Sequence, residues 1–129
     1  MAIISHGIDL VEVQRIERML QEHGDRFVRR VFTEGERAYA ESAEGGRGER
    51  YAARFACKEA VFKALGTGWG QGVGWSDIDV VRNADGQPGL RISGGAADRA
   101  RTLGITSWLL SITHTAGLAM ASVIATDEV

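Results

Sequence analysis

Cysteine is nearly absent. Cys57 is the only one in 129 residues, so no intramolecular disulfide can form. A lone thiol fits a reducing compartment. No apolar run approaches the roughly 20 residues that cross a bilayer. The opening Met-Ala-Ile-Ile-Ser-His-Gly, soon followed by Asp9 and Glu12, lacks the basic head and long apolar core of a secretory signal. The expectation is a cytoplasmic protein with no membrane partner. A basic excess is missing too: the formal net charge of −2 argues against bulk nucleic acid as the main partner. There is no solenoid-like repeat. The glycine-dense GTGWGQGVGW lacks the lysine and serine of a P-loop, which excludes a Walker site. Its glycines must turn, or let something approach the backbone closely.

What is present describes one ordinary globular domain over residues 1–129, with 44% hydrophobic and 25% charged content. A chain of this length buries roughly two thirds of the surface it exposes when unfolded. Residues 3–11 read as a strand running into a helix, in which Val13, Ile16, Met19 and Leu20 recur at helical spacing up to Gly24. A short helical piece follows around Phe27 to Phe32. Thr33 with Glu36 three residues on matches a capping box that starts another helix near Glu34. Glu44 to Glu49 reads as a surface loop. From Tyr51 to Leu65 helix formers run unbroken, and Gly66 and Gly68 end them. Strands around Ile78–Val80 and Arg91–Ile92 flank a turn at Asn83 to Gly89. Gly95 to Leu103 is helical, Trp108 to Thr113 is a strand, and after a turn at Thr115 to Gly117 the last strand covers Leu118 to Ala125. This order predicts an α+β fold: a largely antiparallel sheet and one long central helix.

Wound at about 100° per residue, the 51–65 helix places Ala53, Ala56, Cys57, Ala60 and Ala64 on one face. Tyr51, Phe55 and Phe62 lie nearly opposite. Glu59 and Lys63 occupy the strip between, and Arg54 and Lys58 the other gap. An exposed Glu–Lys pair at this spacing is ordinarily worth a few tenths of a kcal/mol. Here it is hemmed by two packing faces, where charge is costly unless a metal, phosphate or partner compensates. Asp9 interrupts an apolar strand and is either an N-cap for the next helix or a ligand for a hard cation. His114, in Ser-Ile-Thr-His-Thr, ends a strand among hydroxyls suited to a phosphate. Arg15, Arg18, Arg26, Arg29 and Arg30 outnumber Glu17, Glu22 and Asp25, giving either a solvated face or a docking surface for an acidic partner.

Three segments, GIDLVEVQRIE, RFACKEAVFKALGTG and SITHTAGLAMASVIA, in this order and spacing, resemble the holo-[acyl-carrier-protein] synthases over essentially the whole chain. The resemblance implies the 4'-phosphopantetheinyl transferase fold. It implies transfer of 4'-phosphopantetheine from coenzyme A to a serine of apo acyl carrier protein, releasing adenosine 3',5'-bisphosphate and supporting fatty acid biosynthesis. By the same resemblance Asp9 and Glu59 are Mg²⁺ ligands, Glu59 is also the candidate base, and Lys63 stabilises the departing phosphate. Arg54, His114 and Thr115 match coenzyme A contacts, and Gly66 to Gly68 match a nucleotide-proximal turn. Arg15, with Arg18 and Arg26 in the basic cluster, falls on the carrier-docking region. A homotrimer with sites between subunits is also implied. One departure stands out: many such proteins begin GIGxD, whereas Ser5-His6-Gly7-Ile8-Asp9 keeps only the second glycine.

Overall fold

The computed structural model describes residues 2–68 and 70–127; Trp69 of the glycine-dense stretch lies outside the described residues. The order is β1 (Ile3–Glu12), α1 (Val13–His23), α2 (Asp25–Val31), α3 (Glu34–Ala40), α4 (Arg47–Leu65), a short 3₁₀ turn (Trp75–Asp77), β2 (Ile78–Arg82), β3 (Pro88–Ile92), α5 (Gly94–Leu103), β4 (Ser107–Thr115) and β5 (Leu118–Thr126). The strands form two units, both antiparallel: a three-stranded sheet β1–β5–β4 and a separate hairpin β2–β3. The expected α+β architecture around a long helix is what forms.

The small-residue face of α4 lies on this sheet. Ala56, Cys57 and Ala60 meet Ala119, Ala121 and Ala125 of β5, all fully buried. Small side chains on both surfaces let helix and strand backbones come close. The closest approach is at Gly7, where a Cβ would sit 1.9 Å from the Ala60 carbonyl oxygen. That contact explains why the second glycine of the opening motif is the one kept. The aromatic face packs the other way: Phe32 lies against Tyr51 at 4.8 Å between ring centroids, and Phe27 against Phe55 at 6.4 Å. A helix apolar on both sides is thus packed on both sides.

Some boundaries differ from the sequence reading. Helix α4 begins at Arg47 rather than Tyr51, so half of the expected Glu44–Glu49 loop is helical. Gly48 sits under α1, where a Cβ would meet the Glu17 side chain at 2.6 Å, so packing recruits the Arg-Gly-Glu segment against its propensity. Thr115 belongs to β4, not to the turn. The turn itself is Ala116-Gly117, both at positive φ (51° and 78°), as a two-residue hairpin loop requires.

Candidate functional site

Asp9 does not cap α1. The cap residue is Glu12, with no side-chain cap bond, while Asp9 points inward from β1 beside Ala121 toward α4. There it meets Lys63, whose Nζ donates to Asp9 Oδ1 at 3.1 Å and to the Ile8 carbonyl at 2.9 Å. Residues 54 positions apart are so brought into contact. Glu59, one turn earlier on α4, is half-buried beside them. Burial, and then the nearby Asp9 charge, push its carboxyl above the ordinary range, against the pull of Lys63 and Arg15. Two mutually repelling carboxylates with one ammonium form a set that a divalent cation would balance. Among the described residues no cluster of three or more metal-binding side chains occurs. Two carboxylates completed by water and substrate phosphate are nonetheless the usual Mg²⁺ set, so Asp9 and Glu59 fit such an ion.

Beside Glu59 opens a groove of about 400 Å³, with an apolar floor including Phe27, Phe55 and Trp75 and a cationic rim of Arg15, Arg26 and Arg30. The Arg15 guanidinium lies 5.6 Å from the Phe55 ring centre. Arg18 is exposed but does not line this groove. A second cavity of about 220 Å³ lies elsewhere, lined by Tyr39, Arg50, Arg54, Arg82 and His114 among others. His114 Nδ1 stands 3.0 Å from a Glu49 carboxylate oxygen. Arg54 is 6% exposed, and its Nε has no hydrogen-bond partner among the described residues. Burial holds its guanidinium below the ordinary arginine range. Cationic, undersatisfied and concave, this cavity suits a phosphate.

A sequence profile described as the 4'-phosphopantetheinyl transferase superfamily matches residues 5–120. The chain belongs to this superfamily. It is 51% identical to a holo-[acyl-carrier-protein] synthase of Solibacter usitatus over 95% of this chain and 97% of that one. The fold is similar to the crystal structure of holo-[acyl-carrier-protein] synthase from Neisseria meningitidis, with TM-score 0.87, 30% identity, and 97% and 99% of the two chains covered. A synthase from Bacillus anthracis, solved in complex with coenzyme A (3',5'-ADP), gives TM-score 0.78 at 39% identity over 95% and 96% of the chains.

In this superfamily member, then, Asp9, Glu59 and Lys63 come together, and Arg15 and Arg26 share the adjoining groove. Arg54 and His114 come together in the other cavity. Thr115 is exposed at the end of β4, and Gly66 caps α4 in the left-handed conformation at φ 73°. Gly68 is exposed just beyond it. The sequence reading missed Trp75, which stacks on Phe55 at 5.5 Å and walls the groove next to Glu59. It placed Lys58 in a gap between the two faces but missed its partners: the buried ammonium binds Glu36 Oε1 at 2.8 Å and donates to the carbonyls of Trp75 (2.9 Å) and Ile78 (2.5 Å). Unlike Glu59, Lys58 is fully buried, a placement that helix periodicity alone does not distinguish from a gap position.

Proposed function

We propose that this protein transfers 4'-phosphopantetheine from coenzyme A to a serine of apo acyl carrier protein, as its holo-[acyl-carrier-protein] synthase relatives are named for. The meeting of Asp9, Glu59 and Lys63 beside a cation-rimmed groove is the observation that carries this reading. In the reaction the serine oxygen bonds to the β-phosphorus of the pyrophosphate, the bridging P–O bond breaks, and adenosine 3',5'-bisphosphate leaves. Glu59, half-buried beside the groove, takes the serine proton. Lys63, fixed on the Asp9 carboxylate and the Ile8 carbonyl, faces the charge that grows on the leaving phosphate. Asp9 and Glu59 are the residues that would hold Mg²⁺, which would supply charge neutralisation for the pyrophosphate. Arg54 and His114, with Thr115 at the strand end, bind the phosphate that is not attacked, and Gly66 and Gly68 give the nucleotide a close backbone turn. Arg15 and Arg26 on the groove rim, with Arg18 exposed outside it, dock the acidic carrier.

The reading takes residues 1–129 as one transferase domain in the cytoplasm, serving fatty acid biosynthesis. No helix among the described residues is long and apolar enough to span a membrane. A homotrimer completes the site. Arg54 and Lys63, nine positions apart on α4, fall on opposite sides of that helix at about 100° per residue. The cation-rimmed groove and the phosphate cavity share no lining residue. One copy therefore offers two half-sites on different faces, and a neighbouring copy brings the complementary half.

Incubation with Mg²⁺, coenzyme A and apo acyl carrier protein tests the reaction by mass spectrometry. The expected result is a carrier heavier by one phosphopantetheine. Binding of coenzyme A without any mass gain would reduce the protein to a binding module. Arg15→Ala is expected to raise the KM for carrier about tenfold, the scale of one charge-assisted contact, with coenzyme A affinity unchanged.

A further inference from the structure

The phosphate cavity is built around a tyrosine to which the transferase reading gives no role. Tyr39 lies on α3, and its ring has the Arg54 guanidinium carbon 4.1 Å from its centre. The Arg82 guanidinium carbon, at the end of β2, lies 5.1 Å from the same ring centre, and Arg82 Nη1 donates to Tyr39 Oη at 2.8 Å. The third arginine of the cavity is not free to join them: the Arg50 guanidinium already binds the carbonyls of Ala40, Ala43 and Gly45. Two guanidinium groups on one ring repel each other, and the Arg82 charge helps depress Arg54. A ring face attracts both cations and offsets part of that repulsion. Gly86, whose φ of 86° in the β2–β3 turn favours glycine, also lines the cavity beside Arg82. Repelling cations, one buried with an unpartnered Nε, form a pair that an incoming dianion would satisfy at once.

We propose that Tyr39 is a positioning residue, whose ring and hydroxyl hold Arg54 and Arg82 side by side as a clamp for the phosphomonoester of the nucleotide substrate. This rests on the transferase reading, in which the pyrophosphate is engaged at Asp9, Glu59 and Lys63, leaving the 3'-phosphate of coenzyme A for this cavity. Tyr39 sets the geometry, and the guanidinium groups make the contacts.

Calorimetry with coenzyme A and with 3'-dephospho-coenzyme A, on the intact protein, tests it. Wild type should prefer coenzyme A, and both Tyr39→Leu and Arg82→Ala should reduce that preference about tenfold, the worth of one charge-assisted hydrogen bond. In turnover, Tyr39→Leu should raise the KM for coenzyme A by a similar factor, with kcat and the KM for carrier within about twofold, as loss of uniform binding requires. Tyr39→Phe keeps the ring beside both guanidinium groups but loses the Arg82 hydrogen bond, and should fall between Tyr39→Leu and wild type. Arg82 is exposed at a strand end, so its alanine variant keeps the proposal open to refutation should Tyr39→Leu melt early. Equal weakening of both ligands, or a preference unchanged in both variants, overturns the inference while leaving the transferase reading intact. Failure of wild type to bind coenzyme A at all sinks the transferase reading and this inference with it.

Discussion

At the scale of single residues, Glu59 is a carboxylate kept where ionisation is unfavourable. Ionised at neutral pH in a partly buried site, it costs the fold stability. Its folded-state pKa is raised above the ordinary 4.5, chiefly by burial and next by the Asp9 charge. Its contribution to stability is therefore fully present below about pH 4.5 and lost as pH rises through the folded value. Without divalent cations, Glu59→Gln should melt higher than wild type at pH 7, with the gap closing as pH falls toward 4. Thermal melting across pH checks this; a variant that melts lower throughout would contradict it. The same substitution should cut kcat by on the order of 10²-fold or more, the usual worth of a general base. Glu59 and Lys63 were visible in the sequence because helical winding put charge between two apolar faces. Asp9 was not, since a strand aspartate before a helix is equally an N-cap, and only its 3.1 Å contact with Lys63 decides otherwise.

At the scale of elements, α4 acts as a strut fixed on both sides. Against β1 the fit is so close that Gly7→Ala should cost about 3 kcal/mol through overpacking, read as a lower denaturation midpoint. On the other side, Glu36 both caps α3, through the Thr33 amide at 2.8 Å, and accepts from the Val80 amide at 2.7 Å. It also pairs with Lys58, both side chains 0% exposed. Burial pushes the Glu36 carboxyl up and the Lys58 ammonium down, while their mutual attraction opposes both shifts. Removing one partner leaves an uncompensated charge, so Lys58→Met should cost about 3–5 kcal/mol. Adding Glu36→Gln should recover part of that loss, and chemical denaturation of single and double variants tests the coupling. The capping box was legible because Thr33 and Glu36 are three residues apart. Its extension to Lys58 was not, because nothing local to either residue records the contact.

At the scale of the whole molecule, the outer face of the three-stranded sheet remains unpartnered. Ile8 (47% exposed) and Leu10 (59%) of β1, and Leu109 (53%) of β4, stand out on it. Their cross-strand partners on β5 are Ser122, Met120 and Ile124, so the patch is continuous across the sheet. A patch of this kind favours association. Leu109→Asp should convert a trimer into monomers in sedimentation and abolish transfer, although Asp9, Glu59, Lys63 and His114 are untouched. A variant that is monomeric yet fully active would show that one copy holds a complete site. A wild type that sediments as a monomer would refute the trimer directly.

The sequence by itself determined the elements and their order, because side-chain periodicity, capping residues and glycine stops act over a few residues. It also placed Glu59 and Lys63 on one strip of one helix. Only the tertiary structure decided that Asp9 leaves its helix-capping option for Lys63, that Lys58 is buried against Glu36, and that Tyr39 gathers two arginines from α4 and β2. Each of these is a contact between residues distant in the chain. Their energies depend on burial and distance, which no local pattern encodes.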